Sequence, residues 1–227
     1  MLEISLMGRA AALAATLTVA SAAIAQQPAQ PAPQQPQFPD MTFFVTSKAG
    51  PDGANYGGLE GADRHCQTLA TAAGAGARTW RAYLSTQGAA AVNARDRIGA
   101  GPWRNAKGVV IAANLDELHA ANKMSLDNTL TATGRKVAGA GFNHNNHDVL
   151  TGSSVDGKAL PADKDMTCGN WTKGGEGSAM VGHSDRLGLR DDDASRSWNS
   201  SHASRGCATP ALNATGGAGF LYCFAEK

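Results

Sequence analysis

Residues 197–207 read SWNSSHASRGC and place serines beside a histidine, the pair of side chains that a serine hydrolase uses. Such an enzyme needs a serine within hydrogen-bond reach of a histidine that an acid orients, together with an oxyanion hole. Ser200, Ser201 and His202 supply the first two groups, but the chain contains no G-x-S-x-G elbow. Serine and asparagine side chains also satisfy loop backbone. The sequence therefore favours a structural loop, with a Ser/His hydrolase as the alternative.

The stretch NHNNHD at residues 143–148 offers ligands for a metal ion. His144 and His147 lie three residues apart, and Asp148 follows directly. Imidazole and carboxylate together suit zinc or another transition metal. The flanking glycines and the run of asparagines indicate a loop rather than a helix, and the spacing fixes no third ligand. A polar surface loop is the favoured interpretation, and a metal site is the alternative.

Three consecutive carboxylates, Asp191, Asp192 and Asp193, lie between two arginines. Carboxylate oxygens are the ligands that Ca²⁺ prefers, although the EF-hand spacing is absent here. These three residues are the candidate metal ligands of the sequence, and Ca²⁺ is the candidate cofactor. The alternative is a solvated turn.

The loops between residues 168 and 207 also mix arginine, aspartate, histidine and tryptophan, which suits hydrogen bonding to a glycan or a protein. A solvated surface is the alternative interpretation. The candidate ligand-binding residues are Asn170, Trp171, His183, Asp185, Arg186, Trp198, Asn199 and His202.

The elements that must position these residues show their clearest periodicity in the first half of the domain. Apolar residues of the stretch at 62–74 recur at helical spacing, and the aromatic, apolar run at 219–225 is typical of a strand. Residues 131–218 are rich in Gly, Asn, Asp and Ser and indicate long loops. This order predicts an α+β fold with a small mixed or antiparallel sheet and two main helices. We expect strands at 41–47, 79–86 and 219–225, helices at 62–74, 91–98 and 114–120, and a hairpin at 103–112.

The N-terminus has the features of an export signal. Residues 1–25 combine a positive charge with an uncharged, Ala-rich run that ends in an A-x-A site, so we predict a signal peptide. Residues 26–40 are mostly Gln, Pro and Ala and predict an extended linker. Residues 41–227 then form one domain.

We expect export to the periplasm, the cell surface or the medium. No other segment is apolar enough to span a membrane, and the net charge of +1 gives no reason to expect nucleic acid as a partner.

The chain has four cysteines, Cys66, Cys168, Cys207 and Cys223. An even number in an exported chain predicts two disulfides, and three pairings are open. No pair is spaced C-x-x-C, so a zinc ribbon or a thioredoxin-type redox pair is not indicated.

Several motifs in their order resemble the endostatin-like branch of the C-type lectin-like fold. FFVTS and NYGGLEGADRHCQTLA resemble the opening of bacterial endostatin-like outer-surface proteins, and TWRAYLST resembles a strand of the collagen endostatin domain. LTGSSVDGKAL, TCGNWT, SWNSSH and FLYCFAE follow in the order of that family. The resemblance covers residues 41–225.

This resemblance implies a C-type lectin-like domain with two nested disulfides, Cys66 to Cys223 and Cys168 to Cys207. It also implies a binding module without turnover, in the manner of a lectin or adhesin, that recognises an extracellular protein or carbohydrate. The zinc-binding N-terminal histidines of endostatin and the Ca²⁺-binding triplets of sugar-binding C-type lectins have no counterpart in this chain. The alternatives to the binding module are the Ser/His hydrolase and a structural protein of the cell envelope.

Overall fold

A computed structural model describes residues 37–226. The predicted signal peptide and most of the predicted linker lie outside these residues. In the described part of the chain, the elements in order are β1 (Phe43–Val45), α1 (Gly58–Ala72), β2 (Trp80–Ala82), a 3₁₀ turn (Ala94–Arg97), β3 (Trp103–Arg104), β4 (Val110–Ala112), α2 (Leu115–His119), β5 (Asp148–Leu150), α3 (Cys168–Trp171), β6 (Met180–His183), β7 (His202–Ala203), α4 (Thr209–Asn213) and β8 (Gly217–Ala225).

The main sheet is built around β8, the longest strand. Its order is β1-β8-β5-β6-β7, and β2 also pairs with β8. β1 and β2 are antiparallel to β8, whereas β5 is parallel to it. β3 and β4 form a separate hairpin, as the sequence predicts. The architecture is therefore mixed α+β with a small, mainly antiparallel sheet, which confirms the predicted class.

Alternating side chains of β8 enter two hydrophobic clusters, as expected for a strand that is buried on both faces. Leu221 and Cys223 pack with Cys66 of α1 in one cluster. Tyr222 and Phe224 pack in the other cluster, which also contains the tryptophan at 198. The aromatic, apolar sequence of β8 therefore organises the whole core.

Both disulfides form as the family resemblance implies. Cys66 pairs with Cys223 and joins α1 to β8, while Cys168 pairs with Cys207 within the second half of the domain. The second bridge lies inside the sequence span of the first, so the bridges are nested. No free cysteine remains in the described residues.

The prediction of two main helices is corrected by the structure. α1 has 15 residues, whereas the other α-helical segments have only four or five. Asn114 caps the N-terminus of α2, since its side chain accepts a hydrogen bond from the Glu117 backbone N–H. The four residues of α3 all have positive φ, so this segment is a single left-handed turn.

The region at 131–218 is also more ordered than its composition indicates. It contains β5, β6 and β7, which are two to four residues long. Strands this short show too few alternating positions to be recognised from periodicity. No helix in the described part of the chain is long and apolar enough to cross a membrane.

Candidate metal centre

The ends of three neighbouring strands bring together one carboxylate and three imidazoles. Asp148 is the first residue of β5 and lies directly opposite His183, the last residue of β6. His202 begins β7 and lies opposite Val181, which is two residues before His183 on the same strand. Because side chains two apart share a face, His202 reaches the same side of the sheet as His183. His147 immediately precedes Asp148.

Asp148 is at contact distance from all three imidazoles, and His183 also contacts His202. The Nε2 atoms of His147 and His183 each lie 3.3 Å from Oδ1 of Asp148. Nε2 of His202 lies 3.5 Å from Oδ2 of Asp148 and 3.1 Å from Nε2 of His183. A tetrahedral zinc ion with bonds of about 2.0–2.1 Å has donor atoms about 3.3–3.4 Å apart. The two separations from Oδ1 of Asp148 match edges of such a tetrahedron, and His147, Asp148 and His183 each offer one ligand atom within 4.8 Å of the others.

The other ring nitrogen of each histidine faces a hydrogen-bond acceptor. Nδ1 of His147 lies 2.9 Å from Oδ1 of Asp185. Nδ1 of His183 lies 2.7 Å from the Ser195 carbonyl oxygen, and Nδ1 of His202 lies 3.2 Å from its neighbouring carbonyl at Ala203. Carbonyl and ionised carboxylate oxygens only accept, so Nδ1 must carry the hydrogen in all three rings. Nε2 of each ring is then the nitrogen that faces Asp148, and metal-bound histidines commonly have their other nitrogen hydrogen-bonded in the same way.

Asp148 lacks the hydrogen bonds that a buried carboxylate requires. Neither of its oxygens accepts a hydrogen bond of ordinary geometry within the described part of the chain, although both are fully buried. Burial tends to raise the pKa of Asp148, but the imidazoles of His183 and His202 outweigh it and hold the pKa below its usual value. Asp148 in turn raises the pKa of His202. A buried, ionised carboxylate without donors is costly, and a cation among these four side chains would remove that cost.

Asp185 supports the cluster from behind His147. Its Oδ1 accepts from the His147 ring and from the Leu187 backbone N–H, and its Oδ2 accepts from the Ala140 backbone N–H. These contacts outweigh burial, which acts in the opposite direction, and hold the pKa of Asp185 below its usual value. An ionised carboxylate in this position fixes the tautomer and the orientation of the His147 ring.

A pocket of about 540 Å³ opens over the imidazole side of the cluster. Its lining includes the three histidines but not Asp148, whose side chain is almost completely buried. Ser201 and Arg190 also contribute to the lining. Apolar side chains complete the walls, at Ala140, Leu187, Leu189 and Ala194.

The serine beside His202 does not form a hydrolase triad. Oγ of Ser201 lies 3.2 Å from Nε2 of His183 rather than contacting His202. That same Nε2 also faces Asp148, whereas Nδ1 of His183 faces a carbonyl oxygen. In a triad, the serine and the orienting carboxylate bind opposite nitrogens of the ring. The Ser201–His183 contact therefore lacks the opposed partners of a charge-oriented nucleophile.

Of the predicted ligand-binding residues, His183, Asp185 and His202 meet in this cluster. Trp198 and Asn199 are buried instead, and the Asn199 amide donates to the Tyr83 hydroxyl. Their predicted role in ligand binding has no support from this placement.

Three further predicted residues also contact other parts of the domain. Trp171 is buried and donates from Nε1 to the Ser85 carbonyl. Asn170 binds the backbone of Gln87. The Arg186 side chain donates to the carbonyl oxygen of residue 196.

The predicted Ca²⁺ ligands pair with arginines. Asp191 forms an ion pair with Arg196, which also approaches Asp193, and Asp192 forms one with Arg190 at 2.6 Å. Their carboxylates are therefore directed at guanidinium groups.

His144 and His147 do not share a site either, because His144 lines a different cavity.

His147 and Asp148 are the residues of the cluster that the sequence analysis weighed without adopting. The NHNNHD stretch contains them, but its partners at 183 and 202 become visible only through strand pairing. Comparison of the sequence with protein-family models and with curated proteins finds no match. The physical case for the site therefore depends on its geometry.

Proposed function

We propose that this domain is a binding module that holds a divalent transition-metal ion, with zinc as the first candidate, at His147, Asp148, His183 and His202. The observation that carries the proposal is the buried Asp148 carboxylate, which lacks hydrogen-bond donors and faces three imidazole Nε2 atoms at 3.3–3.5 Å. Three nitrogens and one oxygen suit zinc, whereas Ca²⁺ and Mg²⁺ prefer sites made of oxygen alone.

The metal would lie at the floor of the 540 Å³ pocket, so it would serve ligand binding as well as stability. A metal below a pocket fits the expected module for an extracellular protein or carbohydrate, because the ion can accept a donor atom from the ligand. The two disulfides are compatible with an exported protein. The Ser201–His183 arrangement lacks the opposed partners of a triad, which favours binding over hydrolysis.

Calorimetric titration of chelator-treated protein with Zn²⁺ tests the proposal. We expect one ion per chain, and we expect Asp148→Asn or His183→Ala to weaken binding by at least 100-fold. The matched control is His144→Ala, which removes a histidine four residues from Asp148 that lines another cavity. This variant should bind Zn²⁺ like the wild type. Equal affinity in the wild type and in Asp148→Asn would contradict the proposal and leave protonated histidine as the partner of Asp148.

A further inference from the structure

The pocket above the cluster combines a polar floor with an apolar rim. Leu189 is fully exposed and Leu187 is about half exposed, and both line the pocket. Five large apolar side chains of the described residues are more than about a third exposed, and two of them lie here. Exposed leucines beside a concave site indicate that an apolar group of a ligand covers them.

The floor of the pocket favours an anionic donor atom. A divalent ion on three neutral imidazoles and one carboxylate keeps an uncompensated positive charge over its ligands. The histidines line the pocket while Asp148 lies below, so a free coordination position would face the pocket. With four protein ligands this position would be a fifth one, and some zinc sites expand to five ligands in this way. At the rim, Arg190 binds Asp192 through Nε, and its terminal nitrogens are outside that contact.

Ser201 is placed to donate a hydrogen bond to the ligand that coordinates the ion. Its hydroxyl lies 3.2 Å from Nε2 of His183, one of the proposed metal ligands. When the metal occupies that lone pair, the hydroxyl hydrogen is released for donation to an oxygen bound next to the ion. A carboxylate presents two oxygens, so one can coordinate the metal while the other accepts from the hydroxyl.

From these features we propose that the pocket binds a terminal carboxylate carried on an apolar group. One carboxylate oxygen coordinates the metal, the other accepts from Ser201, and the apolar group packs against Leu187 and Leu189. This chemistry is shared by medium-chain organic acids and by the C-terminus of a protein that ends in an apolar residue. The inference depends on the metal proposed above, and its test measures metal and carboxylate binding separately.

The experiment titrates zinc-loaded and metal-free protein with octanoate, acetate and octanamide, and with an acetylated Ala-Ala-Leu peptide as free acid or as amide. We expect octanoate to bind only the zinc-loaded protein and octanamide to bind at least 10-fold more weakly. In cobalt-loaded protein, the free carboxylate should change the visible absorption spectrum. If the free-acid peptide binds as well as octanoate, the site is assigned to protein C-termini. If octanoate binds and the peptide does not, the site is assigned to organic acids.

Two variants separate the apolar rim from the metal. Leu189→Ser should weaken octanoate binding by about 5- to 10-fold because less apolar surface is buried, whereas acetate affinity should stay unchanged. Val109→Ser is the matched control, since Val109 is an exposed apolar residue on the β3–β4 hairpin. Ser201→Ala should weaken acetate and octanoate alike.

The outcomes distinguish the two proposals. Failure of Zn²⁺ to bind removes both. If Zn²⁺ binds but octanoate and the peptide acid do not, the metal site stands and the carboxylate inference is wrong. Octanamide binding as tightly as octanoate, or octanoate binding the metal-free protein equally well, would also overturn it.

Discussion

Replacement of Asp185 by asparagine tests how the protein holds the proposed metal ligands. The carboxylate accepts three hydrogen bonds, from the His147 ring and from the backbone N–H groups of Leu187 and Ala140. An asparagine side chain has one oxygen, so its NH₂ group must face at least one of these donors. A buried donor left without an acceptor costs about 1–3 kcal/mol.

The same change should weaken metal binding without removing a metal ligand. Loss of a partner that orients a metal-bound histidine typically costs 10- to 100-fold in affinity. We therefore expect Asp185→Asn to raise the Kd for Zn²⁺ by about that factor, which corresponds to about 1.4–2.7 kcal/mol. For a domain of this size, 2 kcal/mol of lost stability lowers Tm by roughly 4–8 °C.

The assay combines calorimetric titration with Zn²⁺ and thermal unfolding of the metal-free protein. Asp163→Asn is the control, because Asp163 is exposed and lies outside the cluster. Its Zn²⁺ affinity and Tm should match those of the wild type. If Asp185→Asn also binds Zn²⁺ with wild-type affinity, the reasoning that Asp185 orients His147 as a metal ligand is refuted.

Three further predictions concern the fold that supports the site. Gly182→Ala should lower Tm strongly and abolish Zn²⁺ binding, because the new Cβ would lie 1.8 Å from the Trp198 carbonyl oxygen and displace β6; circular dichroism melting checks the first effect. Tyr56→Phe should cost about 1–3 kcal/mol in urea unfolding, since the buried hydroxyl donates to the Gly219 carbonyl oxygen and accepts from the Gly50 N–H, and both hydrogen bonds are lost. The double variant Cys168→Ala/Cys207→Ala should lower the free energy of unfolding by about 4 kcal/mol, because the bridge closes a loop of 39 residues. An unchanged free energy of unfolding would contradict the stabilising role of the bridge.

The parts of the fold that the sequence predicted are those with long, regular patterns. The apolar residues around Cys66 recur at helical spacing, and α1 covers Gly58–Ala72. The aromatic run of β8 marks the central strand, which begins two residues before the predicted boundary. The disulfide pairing followed from the family resemblance, since cysteine counts leave three pairings open.

The sequence indicated individual residues of the candidate metal centre but not that they lie together. Asp148, His183 and His202 come from three strands of two to four residues, and 35 and 19 positions separate them along the chain. Periodicity does not identify strands that short, and local spacing carries no information on which strands pair. The one local feature was the His147–Asp148 dipeptide, directly before the apolar residues of β5. A histidine that borders each of several short apolar runs is the pattern that could have indicated the site.

Extended X-ray absorption at the zinc edge, together with anomalous diffraction from crystals of the zinc-loaded protein, tests the central claim most directly. We predict a single ion bound by Nε2 of His147, His183 and His202 and by the carboxylate of Asp148, with metal–ligand distances of about 2.0–2.2 Å. An ion located elsewhere on the domain, such as at His144, or no ion above background after loading with one equivalent of Zn²⁺, would contradict it.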